Sequence, residues 1–255
     1  MNLLGSFVIA FSMYSRIPMP QIEWTKERMR YAMCFFPLIG AVIGAAQLLL
    51  LWLRVRLGAG ILCFSLAGSA VPLLITGGIH MDGFLDTTDA RHSYGDREKK
   101  LQILKDPHTG AFAILGMGVY LLLYAAAFSE LTGRAVWLLA AVFVLERALS
   151  GLSVVAFPMA KQDGLAAQFS QAALKRTVRL VMGMYITLCC GWLLWYGRGA
   201  GLCCIAAAFL TFFYYYRMAV REFGGITGDL AGWFLQSCER NLVMVLAACC
   251  LLGLL

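Results

Sequence analysis

Long apolar stretches occupy most of this chain and constrain its fold more than any other feature. A helix needs roughly 20 mostly apolar residues to cross about 30 Å of hydrocarbon. Runs of that kind lie near positions 31–53, 59–79, 111–128, 135–157, 178–196 and 199–220, and a shorter one closes the chain at 241–255. They are continuous rather than alternating, so helices are predicted and not the strands of a barrel. With 61% hydrophobic and 14% charged residues among 255, the chain lacks the polar surface that a soluble globule requires. The expectation is an all-α, polytopic helical membrane protein with about six to seven transmembrane helices, forming a single integral membrane domain over 1–255. Residues 1–15 are also apolar but short for a span. They lack a basic n-region and a small-residue cleavage site, so they are expected to stay on the mature protein as an interfacial or re-entrant helix.

Charge orients the bundle. Segments 16–30, 80–110, 158–179 and 217–240 carry four, five, four and three Lys/Arg, whereas 54–58, 129–134 and 197–198 carry two, one and one. The positive-inside rule places the first set in the cytoplasm, predicting a multi-pass protein of the plasma (inner) membrane. Twelve of the 14 acidic residues share those segments, so the ionisable chemistry lies on one face. Membrane topology accounts for the net charge of +7, and no nucleic-acid partner is expected. The nine cysteines include adjacent pairs inside apolar runs (Cys189–Cys190, Cys203–Cys204, Cys249–Cys250), with no CxxC or zinc spacing. They read as small packing residues.

Positions 76–110 hold six of the 14 acidic residues and all three histidines. Asp82, Asp86 and Asp89 are spaced i, i+4, i+7, which puts three carboxylates on one face of a helix. Two carboxylates about 6 Å apart repel by roughly 0.7 kcal/mol in water and about 3 kcal/mol at an effective dielectric near 20. A divalent cation relieves that repulsion, and hard oxygen ligands with open positions suit Mg²⁺ shared with a phosphate. The rival is a solvated acidic face paired with Arg91, Arg97, Lys99 and Lys100. His80 precedes the stripe as a base, a substrate hydrogen-bond partner or an interfacial polar residue. Asp106 and Lys105 sit before the next span. The loop Gly224-Gly225-Ile226-Thr227-Gly228-Asp229 can bring backbone N–H groups close to phosphate. Glu146 and Arg147 lie mid-span, where charge marks either function or an interhelical ion pair.

The run Gly77-Gly78-Ile79-His80-Met81-Asp82-Gly83-Phe84-Leu85-Asp86-Thr87-Thr88-Asp89 resembles the signature of the cobalamin synthase (adenosylcobinamide-GDP ribazoletransferase) family. Arg16-Ile17-Pro18, Phe36-Pro37-Leu38-Ile39-Gly40, the Lys105-Asp106…Gly110 element and Gly224–Asp229 followed by Glu239 match in order, so the resemblance covers essentially the whole chain. Arg91-His92 and His108-Thr109 depart from the commonest pattern.

The resemblance implies a late step of coenzyme B12 biosynthesis. The cobinamide-phosphate moiety of adenosylcobinamide-GDP passes to the 5′-hydroxyl of α-ribazole, or is joined to α-ribazole 5′-phosphate. The products are adenosylcobalamin or its 5′-phosphate, and GMP, with Mg²⁺ as cofactor. Mapped onto this chain, Asp82, Asp86, Asp89, Asp106, Asp229 and His80 are catalytic candidates. Asp82, Asp86, Asp89 and Asp229 would hold the metal, and Lys105, Arg147, Gly224, Gly225, Thr227 and Gly228 the phosphates. The lipid bilayer is the other partner, and homo-oligomers remain open. Two rival readings are another membrane-embedded Mg²⁺-dependent alcohol phosphotransferase and a secondary transporter built on inverted repeats.

Overall fold

The computed structural model describes residues 2–255, and among them the chain is helical with a single isolated β-bridge. Its elements are α1 (Leu3–Tyr14), α2 (Lys26–Met29), α3 (Ala32–Leu57), α4 (Ile61–Thr76), α5 (Ile79–His92), α6 (Arg97–Ile103), α7 (Ala111–Ser129), α8 (Gly133–Ala156), α9 (Leu165–Ala172), α10 (Lys175–Met218) and α11 (Gly228–Leu251), with a π-turn over Ala219–Phe223. Five helices are long and apolar enough to cross a bilayer, or six if α4 and α5 count as one bent span.

The fifth and sixth runs of the sequence meet inside α10. At Arg198 the backbone leaves helical geometry (φ 49°, ψ −119°), and a Cβ on Gly201 would strike the Leu193 carbonyl. Residues eight apart in a straight helix are about 12 Å apart along its axis, so α10 is a helical hairpin folded back at Arg198. The last span differs from the expected 241–255. It begins at Gly228, because Thr227 caps it and its polar first half is buried against other helices rather than exposed to lipid.

The bundle is built around α8, whose Val136, Leu139, Val142 and Phe143 are fully buried. Helix α3 crosses it closely because Gly40 and Gly44 carry no side chains: a Cβ at either would collide with the backbone of Phe143 or Ala140. Small residues i, i+4 are a general means of bringing membrane helices together. Helix α1 spans only about 18 Å and is too short to cross. It packs on α3, with the Phe7 and Phe35 rings 5.7 Å apart and Asn2 capping its first turn at Gly5.

Gly77 and Gly78 position the site. Both adopt left-handed φ (68° and 81°), which L side chains rarely tolerate, and α5 leaves α4 at 96°. With three aspartates, an arginine and two histidines in 14 residues, α5 is too polar to cross alone. It branches off the end of the α4 span and packs between α7 and α11.

Candidate active site

Helix α5 is helical over its full acidic stretch, as the spacing predicts, but its three carboxylates have different fates. Asp89 docks on the N-terminus of α7: its oxygens accept from the Gly110 N–H at 2.6 Å and the Ala113 N–H at 2.8 Å. The close approach requires Gly110, where a Cβ would meet that carboxylate. Both Asp89 oxygens are therefore engaged in capping, which favours negative charge at a helix start. Asp82 is exposed to a cavity, and Asp86 is half-buried one turn on.

The opposing wall comes from the glycine loop. Gly224 (φ 76°) ends the π-turn beneath the Arg97 guanidinium, and Gly225 (φ 153°) lies against Pro158–Ala160 so closely that a Cβ would collide with the Pro158 carbonyl. A short parallel bridge joins the two segments: the Ile226 N–H donates to Pro158 at 2.8 Å and the Ala160 N–H to Ile226 at 2.9 Å. Thr227 then caps α11, accepting from the Leu230 N–H at 3.2 Å and donating to Asp229 Oδ2 at 3.3 Å. Helices α5 and α11 touch backbone to backbone, since a Cβ on Gly83 would strike Asp229 and one on Gly232 the His80 carbonyl. This contact sets the carboxylates of Asp82 and Asp229 beside one cavity.

That cavity measures about 420 Å³, within the usual range for small-molecule sites. Its lining includes the ionisable and polar groups Asp82, Asp229, Thr227, Lys105 and Lys161, and the largely apolar group Met13, Tyr14, Met33, Phe36 and His80. Lys161 was not singled out from sequence, because one lysine at a membrane boundary is indistinguishable from those that set topology. The Pro158–Ile226 bridge brings it into the site, where Nζ donates to the Leu101 carbonyl at 2.9 Å. Burial, and then the neighbouring Lys105 charge, lower its pKa. Lys105 itself forms an exposed ion pair with Asp163 at 3.7 Å.

The acidic groups repel one another. Burial first, then the charges of Asp82, Asp229 and Asp89, push the Asp86 carboxyl up to about 7. This uncompensated charge fits a divalent cation. Among the described residues, however, no three His, Cys, Asp or Glu side chains converge tightly enough to hold an ion by themselves. The set therefore suits a metal shared with an incoming phosphate rather than an all-protein cage.

Two expected contacts lie elsewhere. Arg147, expected at phosphate, is 1% exposed and pinned to its neighbour: Nη1 donates to Glu146 Oε1 and, at 3.1 Å, to the Phe143 carbonyl. It forms a buried ion pair with its own neighbour inside α8, rather than the interhelical pair expected as the structural alternative. Asp106 faces solvent and accepts from His108, whose N–H and Nδ1 lie at 2.9 and 2.8 Å. It is not among the cavity walls. Gly224 lies under Arg97, and of the four loop residues expected at phosphate, Thr227 and Gly228 border the cavity, beside Ile226 and Asp229.

Residues 6–249 match the family model described as cobalamin-5-phosphate synthase. A protein of Lachnoclostridium phytofermentans named adenosylcobinamide-GDP ribazoletransferase is 47% identical over 97% of this chain and 95% of its own length. Proteins of the same name from Desulfitobacterium hafniense (33% identical, over 91% of this chain and 92% of the relative) and Clostridium perfringens (29%, over 93% and 95%) are also similar. No solved structure matches.

Proposed function

Because the chain belongs to the cobalamin-5-phosphate synthase family, we propose that it is an adenosylcobinamide-GDP ribazoletransferase acting at the cytoplasmic face of the cell membrane. The observation that carries this reading is the meeting, around one cavity, of Asp82, Asp229, Thr227, Lys105 and Lys161 from four separate segments. Phosphoryl transfer requires such a mixture: cations on the diphosphate, and a carboxylate to take the proton of the attacking hydroxyl.

In the reaction, a ribose hydroxyl oxygen of the acceptor bonds to the phosphorus attached to the cobinamide arm. The bond from that phosphorus to the bridging oxygen of GMP breaks, and GMP leaves with the electron pair. The family name specifies a product that carries a 5-phosphate. An oxygen already esterified cannot attack. A nucleophile common to α-ribazole and its 5′-phosphate is therefore a secondary ribose hydroxyl rather than the 5′-hydroxyl. Lys105 and Lys161 attract the diphosphate, Thr227 orients Asp229, and Asp229 or Asp82 accepts the proton. Mg²⁺ held by Asp82 and Asp229, with Asp86 behind them, would neutralise charge on the diphosphate and the departing GMP.

The test is turnover by purified protein given Mg²⁺, adenosylcobinamide-GDP and α-ribazole, with GMP as the readout. Asp82→Asn should abolish GMP release while thermal unfolding shows an intact protein; near-normal turnover in that variant removes Asp82 from its role. Release of CMP from a CDP-linked alcohol precursor, with no GMP from the corrinoid pair, would favour the other phosphotransferase reading.

A further inference from the structure

Part of the cavity lining is chemically different: an aromatic end formed where Tyr14 and Phe36 gather about His80. His80 lines the cavity and is 4% exposed, and its buried Nε2 has no hydrogen-bond partner. An orphaned buried nitrogen is destabilising unless something fills the role of water. Around it the walls are apolar: the Tyr14 ring stacks near the imidazole at 6.0 Å between centroids (interplanar angle 22°), and Phe36 meets it edge-on at 5.8 Å. The Tyr14 hydroxyl is already turned to Met33 Sδ, 3.9 Å away. A flat, mostly apolar ring with one exposed nitrogen complements this end. A guanine does not, because its several donors and acceptors would meet thioether and aromatic walls without partners.

Building on the ribazoletransferase reading, we infer that the aromatic end of the cavity is the acceptor subsite. It receives the benzimidazole base of α-ribazole against its apolar walls, and His80 Nε2–H donates to the ring nitrogen left free by the glycosidic bond. The ribose then points toward Asp82 and Asp229, which presents its hydroxyl to the diphosphate. A cavity of about 420 Å³ has room for a nucleoside but not for a corrinoid. The donor therefore extends only its diphosphate into the site, between Lys105 and Lys161, and its macrocycle stays outside. His80 is thus a binding residue that selects the base.

The experiment uses full-length wild-type protein in detergent and two acceptors: α-ribazole, and the matching riboside of an indole, in which the free ring nitrogen is a C–H. The indole riboside should show at least a tenfold higher KM, with the KM for adenosylcobinamide-GDP unchanged. His80→Ala should bind both acceptors equally and weakly, and His80→Gln, which restores an N–H donor, should regain part of the preference. Equal KM values for the two acceptors in the wild type would overturn the subsite, as would a His80→Ala effect confined to the donor KM. The wild-type comparison decides the matter even if His80→Ala fails to fold. A complete absence of GMP with either acceptor would instead overturn the reaction on which the subsite rests.

Discussion

At the scale of single residues, the aspartates of α5 divide into roles that spacing alone does not distinguish. The i, i+4, i+7 pattern correctly places Asp82, Asp86 and Asp89 along one helix, but it says nothing about which neighbour each meets. Asp89 finds the start of α7 because Gly110 leaves room for a carboxylate. Asp89→Ala should therefore cost about 1–2 kcal/mol, the usual value of a lost helix cap, measurable as a lower midpoint of denaturation. Asp86 yields a pH prediction. Its pKa rises from 3.8 to about 7 in the folded protein, so the folded state binds the proton more tightly than the unfolded state. Folding is thus progressively disfavoured as pH climbs from about 4 to about 7, and the penalty is complete above that. In EDTA, Asp86→Asn should raise the melting temperature at pH 8 and leave it nearly unchanged at pH 3; equal shifts at both would contradict the repulsion. His80 and Lys161 were the least legible residues. The first had three readings, and the second has a role set entirely by a bridge between segments more than 60 residues apart.

Among the elements, the turns carry the architecture. Gly77 and Gly78 swing α5 away from α4, and Gly225 lets the loop before α11 lie on Pro158–Ala160. Gly225→Ala adds a Cβ at φ 153°, against the Pro158 carbonyl. We expect it to break the short bridge and displace Lys161. The loss in kcat/KM for GMP release should be at least tenfold, with the bundle still folded by circular dichroism. Wild-type kinetics would show that the bridge does not position the site. The spans were readable because each is a continuous apolar run. The onset of α11 at Gly228 was not, because Gln236, Ser237, Glu239 and Arg240 make its first half look like loop. Tertiary burial of Gln236, Ser237 and Glu239 is what allows a helix there. The hairpin at Arg198 was foreshadowed by the break between the fifth and sixth long runs.

Taken as a whole, the molecule gathers its chemistry at one end of an apolar bundle. The glycine loop, α5, α6 and the 158–164 segment meet there, while the Arg198 turn lies at the other end of the α10 hairpin. In the topology proposed from the lysine and arginine distribution, the former end faces the cytoplasm. In a variant freed of its nine native cysteines, a cysteine at Asp163 should react with a membrane-impermeant maleimide only from the cytoplasmic side, and one at Arg198 only from the opposite side. The reverse pattern would invert the topology. The central claim is that α5 and α11 supply carboxylates to a single reacting centre, and a double-mutant cycle on GMP formation tests it directly. Asp82→Asn and Asp229→Asn should each lower kcat/KM by about a thousandfold or more, and the double variant should lose little beyond either alone, as residues acting as one unit do. Losses that multiply, or a single variant close to wild type, would contradict it.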